Sequence, residues 1–355
     1  MVIYVNIKNG NIKIVFILVL MSLIVCFPNV SGKGVTQGLL ISANVIIPSL
    51  FPFMVCVLML IKTKINLHFV FLNKILYICF GQHFNMFFVF VLSMIGGYPI
   101  GSVLLDEMQK NNEISNKAAN IMLTYCVNAG PAFVLCVVGS ALGSYKLGIV
   151  LFVSNILSSL FLSIICAKEL RKEENVCIKH IKNTKTFLQS FFESISDASS
   201  SIIRISCYII FFSVINSYID YFSVNIPLLK NIKYLTEITF AVTDCKNIYL
   251  VAFLLSFAGI SIWCQVISMF KSGKINIKRF VFSRFLHGII SVTIVFLLLK
   301  IFDITLSTFS NGIRYNIKFL YSNFSLFCSM IVMIITFLIF VFSKNNSGNI
   351  LDDVL

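Results

Sequence analysis

Two short stretches bring together residue types that could bind a small charged molecule inside a membrane. The first is Gly96-Gly97-Tyr98-Pro99-Ile100-Gly101 with Ser102 behind it, and the second is Asn128-Ala129-Gly130-Pro131. Each ends a short apolar run, Phe84–Ile95 in one case and Ala118–Val127 in the other. Glycine lets the backbone leave helical geometry and approach a ligand closely. Backbone that does so at membrane depth exposes N–H and C=O groups that are costly when unpaired, so it survives only inside protein or facing a wet cavity. A half-helix starting at Gly101-Ser102 points its first N–H groups, and the positive end of its dipole, at the break, which suits an anion. Asn128 adds a side chain that both donates and accepts. In the second half of the chain the corresponding candidates are Glu237 and Thr239, then Ser256, Gly259, Ser261 and Gln265. The competing reading of the glycines is close helix packing, as small residues serve in membrane bundles.

The elements that must hold these residues are set by composition. The chain has 355 residues, 58% of them hydrophobic and 12% charged, with a mean hydropathy of +0.94. Water-soluble domains are about 25% charged, so half the usual polar coat is missing. The apolar residues come in blocks such as Leu147–Ala167 and Ile289–Phe302, apolar on every side, which excludes the alternating strands of a barrel. The chain is therefore expected to be an all-α polytopic membrane protein, in contact with the lipid bilayer and in the cell membrane. Its formal charge of +14 sits between the apolar blocks and marks orientation, not nucleic-acid binding. Lys168, Arg171, Lys172, Lys179, Lys182 and Lys185 form one basic loop and Lys271, Lys274, Lys278, Arg279 and Arg284 another. Both are expected on the cytoplasmic side. The cysteines read as small hydrophobes, and the histidines share no ligand spacing, so no metal and no cofactor is expected. No His-Glu-x-x-His, Gly-x-Ser-x-Gly or Walker loop is present, and the chain does not read as an enzyme.

Along the chain, Asn11–Pro28 reads as a retained first span in preference to a cleaved signal peptide. Val35–Ile61 carries Pro48 and Pro52 and is expected to be kinked. Leu67–Phe80 suits the interface, Phe84–Lys110 suits a discontinuous helix, and Ala118–Leu142 suits a re-entrant hairpin with Asn128–Pro131 at its tip. Residues 35–167 and 186–303 then form two repeats of one membrane domain, divided by the basic loop 168–185 and followed by a C-terminal span and tail, 304–355. Leu92–Gly96 aligns with Leu255–Gly259, and Met108–Ile114 with Met269–Ile275. The first copy is acidic after its break, at Asp106, Glu107 and Glu113, where the second is basic. That contrast predicts inverted-topology repeats with broken or re-entrant helices, about seven full spans and both termini cytoplasmic. Arg204 is expected to end a span on the cytoplasmic side.

The order Pro48-Ser49-Leu50-Phe51-Pro52-Phe53, the Gly-Tyr-Pro-x-Gly motif at 97–101, and Asn128-Ala129-Gly130-Pro131 resembles the sporulation integral membrane protein YlbJ (SpoVV) family, within the group carrying nucleoside-recognition gate domains. Ser283-Arg284-Phe285-Leu286-His287 adds to the resemblance. The resemblance implies a transporter that moves dipicolinic acid across the outer forespore membrane, and the breaks themselves point to a substrate site at Gly96, Gly97, Tyr98, Pro99, Gly101, Ser102, Asn128, Gly130, Glu237, Thr239, Ser256, Gly259 and Gln265. A nucleoside-like or other carboxylate substrate is the alternative within transport, and a structural or assembly factor of the spore envelope the alternative outside it. After Thr239 the chain has Phe240-Ala241 where the family leads one to expect a glycine.

Overall fold

The computed structural model describes residues 9–62, 77, 80–81, 84–173, 186–224, 229–239, 242, 245 and 247–302. Most of the interfacial segment 67–80, residues 174–185 and the tail 304–355 lie outside these. The described elements are helical throughout: α1 (Asn9–Cys26), α2 (Pro28–Ile41), α3 (Ile47–Lys62), α4 (Phe84–Gly96), α5 (Ile100–Lys110), α6 (Asn116–Met122), α7 (Gly139–Ala141), α8 (Tyr145–Arg171), α9 (Phe187–Ser223), α10 (Leu229–Thr236), α11 (Ile248–Phe257), α12 (Gly259–Met269) and α13 (Ile277–Ile301). Among the described residues four spans are long and apolar enough to cross a bilayer, namely α8, α9, α11 with α12, and α13. The chain is an all-α polytopic membrane protein.

Polar residues at the element starts act as caps. Ser115 and Ser144 accept from backbone N–H groups of α6 and α8, Asn247 and Asn276 do so for α11 and α13, and Thr186 with Gln189 forms a capping box on α9. Pro48 and Pro52 sit in a helix that continues through them, with a π-helical turn at Ser42–Ile46 just upstream. Pro52 lies inside that helix and has no N–H to give the carbonyl one turn before it. The N-terminal helix α1 meets α2 at 98° across Phe27 and presents Ile14–Leu18 to the outside.

Contacts along α8 give the direction of each neighbour. Lys117 Nζ lies 2.7 Å from Glu173, Thr124 Oγ1 3.4 Å from Cys166, and Asn128 beside Ser159, while Gly139 packs on Gly148. Hence α6, the non-helical stretch 127–130, the π-helical Ala132–Val138 and α7 run antiparallel to α8 from end to end. This is a broken span that passes through, where the sequence predicted a re-entrant hairpin. Helix α13 is also antiparallel to α8, with Arg279 2.7 Å from Glu169, His287 3.2 Å from Ser159 and Ser291 3.4 Å from Ser154. In turn α11 and α12 are antiparallel to α13, through Trp263 on Phe280 and Phe253 on Phe285. The two broken spans therefore run in opposite directions.

Helices α4 and α5 do the reverse of what their sequence predicted. A Cβ on Gly101 would stand 3.2 Å from the Ser93 Cβ, so the chain doubles back at Gly97-Tyr98-Pro99 into a hairpin. Its two ends share one face: Gly81 abuts Ala167 near the end of α8, and Asp106 of α5 accepts from the Lys271 and Ser272 N–H groups at 2.5 and 2.6 Å. Asn116 and Asn120 donate to the Lys274 carbonyl on the same face. The aligned segments 92–114 and 255–275 thus finish side by side. Their opposite charges do not mark opposite faces; the acidic group caps the backbone of the basic loop. The inverted relation belongs to the spans broken at Asn128 and Ala258, a pairing the alignment missed. The ends of both basic loops lie on this one face, joined by Arg279 and Glu169, as their shared charge requires.

Helix α9 carries the outer layer. It packs antiparallel to α2 and α3, with Phe27 on Tyr221, Gly38 on Ile210, and Lys62 paired with Asp197. Gly34 and Gly38 form a Gly-x-x-x-Gly pair, and a Cβ on either would stand 2.6 Å from an α9 Cα atom. Substituting Gly38→Val forces these backbones apart and is expected to lower stability by about 1–3 kcal/mol, read as a fall in the unfolding midpoint of the detergent-solubilised protein. For topology, single cysteines at Glu113 and Lys274 should react with an impermeant thiol reagent from one side, and a cysteine at Gly143 from the other.

Candidate functional site

The site lies where the hairpin tip, both breaks, α8 and α13 meet. Gly97 (φ +72°) sits against Gly130, with a Cβ there only 2.7 Å from the Gly130 nitrogen. Gly101 lies on the Cys126 carbonyl. These glycines are sites of close backbone contact. The second break is built alike: Ala258 and Gly259 both take positive φ, and Gly259 faces the Leu235 and Thr236 carbonyls, which brings Glu237 to the break. Positive φ is strained for alanine, and such strain gathers at functional sites.

Carbonyls released by the breaks find side-chain donors. Tyr98, at the hairpin tip, donates its hydroxyl to the Leu255 carbonyl, and Trp263 Nε1 donates to Phe257 at 2.7 Å. Asn128 Nδ2 donates to Tyr125 at 2.7 Å. Arg284 of α13 donates through Nη1 to Val127 and through Nη2 to Thr124. Arg284 is wholly buried, and among the described residues no carboxylate pairs with it. Its Nε has no partner.

One turn further along α13, His287 is equally buried. Because Asn128 uses its amide group on Tyr125, its Oδ1 must accept from Ser159 Oγ, at 2.5 Å. The single hydroxyl proton of Ser159 is thereby used, so Ser159 accepts from His287 Nε2–H at 3.2 Å. That leaves His287 Nδ1 as a lone pair without a bonded partner. The side chains of Asn155 and Ser256 also have unpartnered buried atoms, and the backbone of both borders the imidazole.

The sequence-derived candidates divide accordingly. Tyr98, Asn128 and Ser256 belong to this cluster, with Gly97, Gly101 and Gly130 forming its backbone walls. Gly96 packs on Phe53 beneath the tip, and Pro99 accepts from Ser102 Oγ at 2.8 Å within the turn. At the start of α5 three of the N–H groups expected to face an anion are already taken. Ile100 N bonds the Gly97 carbonyl, and Ser102 N and Val103 N bond the Pro99 carbonyl. Glu237, Thr239 and Gln265 gather at the second break instead, where Thr239 Oγ1 donates to Glu237 at 3.0 Å and Gln265 to Ser261 at 3.3 Å.

Sequence reasoning missed Arg284, His287, Ser159 and Asn155. Arg284, grouped by sequence with the basic loop, lies about two turns into α13 and inside the bundle. The available signal was the spacing Phe280, Arg284, His287, Ser291, one face of a helix, with a charge and an imidazole on the stripe that faces the core.

A bundle of this kind, with two oppositely directed broken spans and buried polar groups at their crossing, belongs to the polytopic α-helical membrane proteins. The chain is similar to the sporulation integral membrane protein YlbJ of Bacillus subtilis (strain 168), 26% identical with 80% of this chain and 81% of the relative covered. No family model and no solved structure matches it.

Replacing Ser159→Ala strands the Asn128 and His287 groups it bridges. The expected loss is about 1–3 kcal/mol, measurable as a lower unfolding midpoint, with Ser159→Thr losing less.

Proposed function

We propose that this protein is a sporulation membrane transporter that carries a small organic anion, dipicolinate, through a site at the crossing of its two broken spans. The observation that carries this reading is the meeting of Tyr98, Asn128, Leu255 and Arg284, contributed by a hairpin, two opposed broken spans and α13. Secondary transporters place their substrate sites at such interrupted helices near mid-membrane, and gate them by moving one unit against the other. The likeness to a sporulation integral membrane protein supports the process, and the family resemblance supports the substrate. Residues 35–167 and 186–303 are the two units, each holding one broken span. In this conformation the Gly97–Gly130 contact is shut; transport requires the hairpin tip to part from it. The glycine contacts are also what a non-transporting assembly factor would show, and uptake separates the two readings.

In a spore-forming host carrying this gene, deletion should yield spores depleted of dipicolinate, restored by the intact gene. Gly97→Leu and Asn128→Ala should each fail to restore it while remaining in the membrane. Normal dipicolinate in the deletion strain would sink the substrate assignment. Normal content in both variants would defeat the site.

A further inference from the structure

The transport reading leaves one feature without a role: a guanidinium and an imidazole a turn apart on α13, both fully buried, each with one nitrogen unused. We propose that Arg284 anchors a carboxylate of the transported anion and that His287 takes up one proton when the anion binds. This inference rests on the transport reading and names the group that recognises the substrate's charge.

Arg284 has five N–H donors in a fixed fork. The Val127 and Thr124 carbonyls take one from each terminal nitrogen. They orient the group but supply only dipoles, so a full positive charge remains. The Nε–H edge is left over, and that edge with an adjacent terminal N–H matches the two oxygens of a carboxylate. A buried ion without an opposite charge is costly by several kcal/mol, and an intramembrane charge that a protein retains usually serves a pathway or ligand. The carboxylate that could offset it within the protein, Glu237, is held at the other break by Thr239.

His287 follows from the same charge balance. Its Nε2–H is committed to Ser159, so a proton can enter only at Nδ1. The charged group that faces it is Arg284 on its own helix, and Arg284 in turn faces Tyr98 at the hairpin tip and Cys126 on the first broken span. Helices α8 and α11 offer only Ser159, Asn155 and Ser256. None of these brings a negative charge at neutral pH. Without an anion, protonation would set a second positive charge one turn from Arg284. With a carboxylate between them the penalty becomes an attraction. Proton and anion binding must then favour each other reciprocally, with the proton taken from solution onto Nδ1 and returned when the anion leaves.

The full-length protein in detergent, titrated with dipicolinate in weakly buffered solution, tests this. The wild type should take up about one proton per anion bound, and its affinity should fall as pH rises. His287→Gln should bind roughly tenfold more weakly, with no proton uptake and no pH dependence, while Arg284→Lys should lose about a hundredfold. Proton uptake unchanged in His287→Gln, or affinity unchanged in Arg284→Lys, overturns the assignment while leaving transport intact. Wild-type protein that binds no dipicolinate overturns both. Should Arg284→Lys not fold, the wild type carries the test with the uncharged diamide of dipicolinate: binding of the diamide as tight as that of the dianion overturns the anchor.

Discussion

Broken helices inside a bilayer release carbonyls that water cannot reach, and the pairing of those carbonyls is the constraint on which this structure depends. Arg284 meets it for the first break, at Thr124 and Val127, and Tyr98 and Trp263 meet it for the second, at Leu255 and Phe257. Each donor comes from a different element from the one that breaks, or from the far side of the break. The breaks therefore bind the bundle together as well as interrupting it. Removing a single donor leaves a desolvated carbonyl, and for Arg284 it removes a charge on which two carbonyls converge.

The same pairing explains why the elements lie as they do. Helix α13 must run beside α8 to bring Arg284 to the first break and His287 to Ser159. The hairpin must double back at Gly97 so that Tyr98 can reach across to Leu255, and glycine at 97, 101 and 130 lets backbone meet backbone there. Outside this centre the interactions are of another kind. Arg279 with Glu169, Lys117 with Glu173 and Asp106 with the Lys271–Ser272 backbone close one face by ion pairs and capping bonds. At the first break the hydrogen bonding is neutral except at Arg284, so that charge dominates the electrostatics there, while Glu237 lies at the second.

Much of this was legible in the sequence. Apolar blocks gave the membrane and the helices, glycine and proline gave the positions of the breaks, and Tyr98 and Asn128 were recognisable as polar groups beside them. What failed was direction. A short apolar run before a glycine reads alike whether the chain then passes through, as at Asn128, or turns back, as at Gly97. Tertiary contacts such as Ser93 against Gly101 and Thr124 against Cys166 distinguish the two. Charge was misread where acids and bases sit face to face, as Asp106 does with the loop after α12. Arg284 was misassigned because it lies a short way beyond Lys278 and Arg279, and composition cannot tell the last loop residue from the first buried one.

Whether an anion passes through the crossing of the broken spans is decided by flux. Liposomes containing only this protein should accumulate dipicolinate saturably and faster than protein-free liposomes, and the uptake should be competed by related dicarboxylates. Uptake indistinguishable from empty liposomes, with the protein folded and inserted, would contradict it.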